Sequence, residues 1–158
     1  MVRVVDGDTF YVDWTCNNYA ESEEKIRLLF VNTLELSQSH KSQDLQFGLS
    51  ARNFLKGRLQ NRPLQLWVSP QFPRDLYQQT LGLLQAEDAK LNFLLIGLGH
   101  SLFDARYQLP RNFDRYVVAE ARAYEEKMGI WSIYASRQRY LKRFANEERT
   151  VYSRINRR

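Results

Sequence analysis

The chain has 158 residues and a formal net charge of +5, and it is 44% hydrophobic and 13% aromatic with 7 glycines and 4 prolines. This composition excludes a disordered, collagen-like or low-complexity chain, and the length is that of one domain with its own core. The longest nearly uncharged stretch, residues 91–103, is too short for a membrane helix, so no membrane span is expected. The single cysteine, Cys16, excludes an intramolecular disulfide, and it has no Cys or His neighbour at the spacing of a zinc finger.

Basic residues are concentrated towards the C-terminal end of the chain. Residues 1–99 hold 10 Lys/Arg and 11 Asp/Glu, whereas residues 100–158 hold 13 and 7. Residues 136–158 alone carry eight basic residues against Glu147 and Glu148. A segment of this charge density usually binds a polyanion, most often nucleic acid. The alternative interpretation is that the basic residues form a solvated helix face.

Strand-like runs come first in the chain and helical ones follow, which is an α+β order. Asp6-Gly7-Asp8 is a tight-turn signal between the first two runs, and the polar residues 17–24 predict an exposed loop. An apolar run that contains Arg27 predicts a strand buried on both faces. The predicted strands cover residues 2–5, 9–14, 26–31, 64–68 and 80–85, a number suited to a small closed barrel.

Apolar residues at helical spacing predict three helices, over residues 47–59, 91–98 and 112–128. The first is indicated by residues four apart, namely Phe47, Ala51, Leu55 and Leu59. Gly99 is expected to end the second helix, and Gly129 is positioned to cap the third. Ile130 and Trp131 are then expected to fold back onto the core.

A further amphipathic pattern follows these helices and contains Leu141, Phe144, Val151, Tyr152 and Ile155. It is typical of a docked helix or of an arm that orders on a partner. We therefore predict one domain over residues 1–135 and a basic amphipathic C-terminal extension over residues 136–158.

Three short segments concentrate the groups that cleavage of a phosphodiester requires: residues 6–9, 27–35 and 75–77. The oxygens of Asp8, Asn32, Thr33 and Glu35 are of the kind that calcium accepts. Arg27 can hold a phosphate with two hydrogen bonds, and Glu35 can act as a general base. Each segment also has an ordinary structural explanation, as a turn, as an arginine paired with a structural carboxylate, or as a surface or helix-capping glutamate.

Taken together, the chain resembles the staphylococcal nuclease family, also called thermonucleases, over nearly all of residues 2–132. The resemblance rests on VVDGDTF, IRLLFVNTLE, GLSARNFLKGRL, DLYQQTLGLL, LNFLLIGLGHS and MGIWS, in this order and spacing. It implies a five-stranded OB-fold barrel with three helices and calcium-dependent hydrolysis of DNA and RNA. It also implies a calcium aspartate at Asp8, a backbone calcium ligand at Thr33, a phosphate-binding arginine at Arg27, a catalytic glutamate at Glu35, and tyrosines of the nucleotide pocket at Tyr77 and Tyr107.

Two departures from the family pattern weaken this expectation. Asn32 stands where the family usually has a second calcium aspartate, so calcium should bind more weakly. Gln79 stands where the family has its second catalytic arginine, and the loss of an arginine in phosphoryl transfer costs about 10³–10⁵ in rate. Arg74, in the neighbouring loop, is a candidate to replace that arginine.

Two functions follow from the sequence. The first is a calcium-dependent phosphodiesterase that acts slowly on single-stranded DNA or RNA. The second is a catalytically degenerate module that binds nucleic acid or a protein partner, with residues 136–158 contributing affinity. The sequence leaves the cellular compartment open.

Overall fold

The computed structural model describes residues 2–14, 22–34, 42–60, 62–104, 106, 113–133 and 138. The strands are β1 (Val2–Val4), β2 (Thr9–Trp14), β3 (Ser22–Leu28), β4 (Val31–Asn32), β5 (Leu64–Val68), β6 (Thr80–Ala86), β7 (Ala89–Lys90) and β8 (Leu102–Phe103). The helices are α1 (Ser42–Leu59), α2 (Leu91–Gly97) and α3 (Phe113–Glu125), followed by a short 3-10 helix, Gly129–Ser132. The predicted mixed α+β class with three helices is confirmed. None of the described helices has both the length and the apolar character needed to cross a membrane.

Most strands belong to one sheet, with the order β1-β2-β3-β6-β5 and β7 paired to β6. β3 and β6 are parallel, and the other pairs are antiparallel. β4 and β8 form a separate two-stranded sheet. The five predicted strands match β1, β2, β3, β5 and β6, and the three additional strands have two residues each. The described pairing is that of an open sheet consistent with an OB-like fold, and closure into a barrel stays a prediction.

The sheet departs from the predicted strands around β3. The apolar run of residues 26–31 is not one strand, because β3 ends at Leu28 and a turn at Leu29 and Phe30 follows. Phe30 has a φ of 65°, a left-handed conformation that a bulky residue seldom adopts, so the sequence gives no signal for this turn. The predicted loop at residues 17–24 is also too long, since β3 begins at Ser22 and pairs with Trp14.

The hydrophobic core is shared by the sheet, α1 and α2. In β2, Phe10 and Val12 are buried while Tyr11 between them is only half-buried, as the alternation of a strand requires. The predicted face of α1 is correct, because Ala51, Leu55 and Leu59 are buried. Asn92 of α2 fastens the helix to the sheet: its Oδ1 accepts from Leu84 N at 2.8 Å, and its Nδ2 donates to Leu29 O at 2.8 Å.

The third helix is shorter than predicted and ends differently. α3 ends at Glu125, and Lys127, with a φ of 55°, takes the left-handed position that closes the helix. Met128 N donates to Ala123 O and Lys127 N to Tyr124 O, the paired bonds of a Schellman motif. Gly129 therefore does not cap α3. The expected return of Ile130 and Trp131 to the core is confirmed, because both are buried.

Candidate functional site

The turn between β1 and β2 positions Asp8. Val5 N and Asp6 N both donate to Thr9 O, at 3.0 and 3.2 Å, and this closes the turn. Gly7 packs so tightly that a Cβ there would lie 2.5 Å from Ala51 Cβ and 2.7 Å from Thr33 Cγ2. Because only glycine fits, the turn can rest directly on α1 and bring Asp8 beside the segment that follows β4.

The Asp8 carboxylate is 2% exposed and accepts four hydrogen bonds. Oδ1 accepts from Arg27 Nη1 at 2.8 Å and from Thr9 Oγ1 at 2.9 Å. Oδ2 accepts from the backbone N and the Oγ1 of Thr33, at 3.0 and 3.2 Å. A carboxylate offers about four acceptor positions, so those of Asp8 are all in use.

Arg27 reaches Asp8 from β3. The register pairs it with Thr9 of β2, the residue after Asp8, so the guanidinium and the carboxylate meet at the end of the β2–β3 ladder. The Arg27 side chain is 13% exposed, and Asp8 is its hydrogen-bond partner among the described residues. Within the described part of the chain one of the five N–H groups of the guanidinium is used, so the others are open to another acceptor.

A second carboxylate, Asp6, lies beside Asp8 in the same turn. Its Oδ1 accepts from Asp8 N at 3.2 Å. Burial raises the pKa of Asp6 to about 6, and the negative charge of Asp8 adds to this shift. Asp6 therefore keeps its proton up to a higher pH than an ordinary aspartate does.

Asn32 and Thr33 are brought to the site by the small sheet of β4 and β8. Asn32 N donates to Ser101 Oγ at 2.8 Å, which holds the end of β4 against the segment before β8. Thr33 is buried and contacts Asp8, whereas Asn32 is half-buried. Of the predicted calcium ligands, the structure thus places Asp8 and Thr33 in direct contact.

The described residues do not fit a calcium ion in this arrangement. Calcium takes about six to eight oxygen ligands, whereas the acceptor positions of Asp8 are occupied and one of its donors is a cation. No group of three or more His, Cys, Asp and Glu side chains that could hold a metal occurs in the described part of the chain. Glu35 lies outside the described residues. Calcium stays a prediction, and it requires a donor to leave Asp8.

Asp75 organises the loop that carries Gln79. Its Oδ1 accepts from Tyr77 N at 2.8 Å and from Gln79 N at 2.9 Å, and its backbone N donates to Gln79 O. Gln79 Oε1 is buried and has no hydrogen-bond partner in the described structure. Leaving a buried acceptor unpaired costs about 1–3 kcal/mol, so this glutamine is not optimised for the stability of the fold.

Arg74 is held away from the role of a substitute arginine. Its Nη1 donates to Gln78 O at 2.8 Å, and its Nη2 pairs with Glu24 Oε1 at 3.2 Å. Glu24 Oε1 also accepts from Thr80 Oγ1. These contacts tie Arg74 to the loop and to β3.

Of the two predicted nucleotide-pocket tyrosines, Tyr77 lies among the described residues. Tyr77 is 82% exposed at the tip of the Asp75 loop, beside Leu76, which is 94% exposed. Tyr107 lies outside the described residues. Tyr77 is thus presented to solvent by a fixed loop, where a base could stack on it.

Sequence reasoning missed two groups of this site and misplaced a third residue. Thr9 Oγ1 and the carboxylate of Asp6 both contact Asp8, and the DGDT motif that contains them was the available signal. Trp67 lies in the predicted strand 64–68, where a tryptophan is most simply a core residue, but it is 50% exposed and lines a groove of about 1020 Å³ between β5, β6, α2 and α3. The alternation of β5 could have shown this, because Leu64 and Leu66 are the more buried residues of that strand.

Comparison with known proteins supports the resemblance. The model of a family described as staphylococcal nuclease homologue matches residues 25–133. The match includes Arg27, Asn32, Thr33 and Gln79 and begins after Asp8. A search of the curated proteins found no significant match.

Proposed function

Because the chain belongs to the family of staphylococcal nuclease homologues, we propose that it is a module that binds single-stranded nucleic acid and has lost most or all hydrolysis. The phosphate backbone is held by Arg27. The basic residues of the extension 136–158, which lies outside the described residues apart from Gln138, supply additional affinity.

The observation that carries this proposal is the state of Arg27. Its guanidinium is oriented by the bond from Nη1 to Asp8 Oδ1, and the side chain remains 13% exposed. A fixed guanidinium whose other N–H groups have no acceptor among the described residues suits a phosphate oxygen, since charge-assisted bonds are the strong ones and orientation lowers the entropic cost. Binding of nucleic acid therefore needs no rearrangement of the Asp8 cluster.

Hydrolysis makes further demands that these residues meet poorly. Asn32 brings no negative charge to a cation, and Gln79 brings no positive charge to a phosphoryl oxygen. Asp8 is already saturated with donors. Loss of one donor to a transition-state oxyanion costs about 10²–10³ in rate, and loss of an arginine costs about 10³–10⁵.

The test measures binding of a fluorescently labelled single-stranded oligonucleotide to the full chain. Fluorescence anisotropy of the oligonucleotide reports the binding, and EDTA is present throughout. We expect binding by the unmodified protein and a loss of about tenfold to a hundredfold in Arg27→Ala, since a hydrogen bond to a charged group contributes about 1.5–3 kcal/mol. Arg62→Ala is the matched control, because Arg62 is an arginine in an exposed ion pair with Glu87.

Arg27→Ala removes the arginine and also leaves the negative charge of Asp8 without a partner cation, and Asp8→Asn distinguishes these two effects. It keeps Arg27 and removes the negative charge, so binding should be retained or strengthened. Equal affinity of the Arg27→Ala and Arg62→Ala proteins, with both folded by circular dichroism, would contradict the role given to Arg27.

Calcium-dependent phosphodiesterase activity is the second candidate. It is favoured by the direct contact of Asp8 with both Arg27 and Thr33, because the family resemblance assigns Asp8 and Thr33 to calcium and Arg27 to phosphate. It would appear as cleavage of single-stranded DNA or RNA with calcium, abolished by a chelator and by Glu35→Gln. Gln79→Arg together with Asn32→Asp should raise that rate, and cleavage that is insensitive to chelation would contradict this assignment.

A further inference from the structure

The ion pair between Arg27 and Asp8 has the properties of a closed site. Arg27 Nη1 and Asp8 Oδ1 lie 2.8 Å apart, and the side chains of Arg27 and Asp8 are 13% and 3% exposed. The remaining acceptor positions of the carboxylate are used by Thr9 and by Thr33. Since little water reaches the pair, the positive charge of Arg27 balances the carboxylate directly.

We propose that Arg27 is the resident cation of this site: its guanidinium takes the place of a divalent ion at Asp8, and it binds a phosphate group without metal. Its remaining N–H groups provide the donors for that phosphate. The phosphate part of this inference rests on the proposed function. The cation part does not, and it states that calcium and the Arg27–Asp8 pair exclude each other.

The exclusion follows from geometry and charge. A calcium ion needs carboxylate oxygens with free lone pairs, whereas both oxygens of Asp8 already accept two bonds each. A cation placed there would also meet the guanidinium at contact distance, and like charges in a water-poor site repel strongly. Removing Arg27 frees one lone pair and removes the repelling charge in the same step.

The test is calorimetric titration of calcium alone into the full chain and into three variants at Arg27. Arg27→Ala and Arg27→Gln remove the charge, and we expect both to bind calcium at least about tenfold more tightly than the unmodified protein. Arg27→Lys keeps the charge and should gain nothing. Arg62→Ala breaks an exposed arginine–carboxylate pair of similar N–O distance, 2.8 Å, and should also gain nothing.

A gain in calcium affinity must depend on Asp8. Adding Asp8→Asn to Arg27→Ala should therefore return the affinity to that of the unmodified protein. The proposal is overturned if the Arg27→Ala and Arg27→Gln proteins are folded and bind calcium no more tightly than the unmodified protein. It is also overturned if the gain survives Asp8→Asn.

A second measurement uses the unmodified protein, so its result does not depend on whether the variants fold. The ¹⁵N-edited signals of the Arg27 side chain should stay unchanged when calcium is added to millimolar concentration, and displacement of those signals by calcium would overturn the proposal. No arm of this experiment contains nucleic acid. Failure of oligonucleotide binding would thus reject the proposed function, and failure here would reject the resident cation.

Discussion

Gly99 and Gly129 meet so closely that neither position has room for a side chain. A Cβ on Gly99 would lie 2.3 Å from Met128 O, and a Cβ on Gly129 would lie 2.2 Å from Gly99 O. Both glycines have positive φ, 69° and 49°, and Ile130 N donates to Gly99 O at 2.9 Å. This contact joins the end of α2 to the 3-10 helix and seats Trp131, which is 0% exposed.

Alanine at either glycine should therefore destabilise the fold. We expect Gly99→Ala and Gly129→Ala to lower the free energy of unfolding by about 2 kcal/mol or more, since backbone atoms must move and φ becomes unfavourable. Gly57→Ala is the control, because Gly57 lies within α1 with no atom within 4 Å of the added Cβ. It should stabilise by about 0.5–1 kcal/mol. Urea unfolding compares the three proteins, and equal stabilities would contradict the close approach of the two glycines.

Replacing Gln79 by a residue of similar length without polar atoms should stabilise the protein. Gln79→Met removes the buried Oε1 that has no partner in the described structure, and we expect a gain of about 1 kcal/mol in the free energy of unfolding. Gln65→Met, at an exposed position of β5, controls for the general effect of the exchange. A destabilised Gln79→Met protein would show that Oε1 is satisfied in solution.

Stability should depend on pH through Asp6. Its pKa is raised to about 6 in the folded protein from an ordinary value of 3.8. Between these values the folded state holds more protons than the unfolded state, so the free energy of unfolding falls as pH rises from about 4 to about 6. Above that range the destabilisation is complete, and below it the destabilisation is absent.

Asp6→Asn should remove this dependence. The asparagine Oδ1 can still accept from Asp8 N, while the charge that burial and Asp8 disfavour is gone. We expect the variant to melt at a higher temperature than the unmodified protein at pH 7 and at about the same temperature at a pH below 3.8, the ordinary pKa of an aspartate. Asp88→Asn, at an exposed turn residue, should shift the melting temperature equally at both pH values. If the melting temperatures of the unmodified and Asp6→Asn proteins run parallel across this pH range, the Asp6 pKa is ordinary.

The extension 136–158 should act through its charge. If it binds about three phosphates, its deletion should flatten the slope of log affinity against log salt for single strands by about 0.7 for each phosphate that the shortened protein no longer binds. The domain over residues 1–135 should remain folded, which circular dichroism checks. An unchanged slope would instead assign the extension to a solvated surface or to a protein partner.

The sequence predicts the local parts of this molecule well. β2, β5 and the buried face of α1 follow from the periodicity of neighbouring residues, and the Asp6-Gly7-Asp8 signal identifies the turn that carries Asp8. Positive φ at Phe30 and Lys127 could not be read, because neither residue type favours that conformation. At Lys127 this conformation belongs to the Schellman motif that ends α3, and at Phe30 the turn is bonded to distant segments, from Leu29 N to Gly82 O and from Asp104 N to Phe30 O.

The partner of Arg27 in the candidate site was likewise beyond sequence reasoning. The sequence allows an arginine paired with a structural carboxylate, as the structure shows for Arg27, but the contact with Asp8 depends on the register of β2 with β3, which pairs Thr9 with Arg27. Saturation of Asp8 depends in addition on Thr33, which arrives through β4. The full set of hydrogen bonds to Asp8 comes from three separate segments of the chain, so no single motif reveals it.

The parallel pairing of β3 with β6 has a consequence for how the chain folds. It joins Ile26 to Thr80 and Leu28 to Gly82, residues separated by about 54 positions, whereas β1 with β2 and β6 with β7 are paired by short connections. Closing so long a loop costs entropy before any contact compensates it. The antiparallel pairs on either side, β1-β2-β3 and β5-β6-β7, should therefore form early, and the parallel pairing of β3 with β6 should form late. Mutations at Leu81, the partner of Arg27, should then mainly accelerate unfolding and leave the folding rate nearly unchanged.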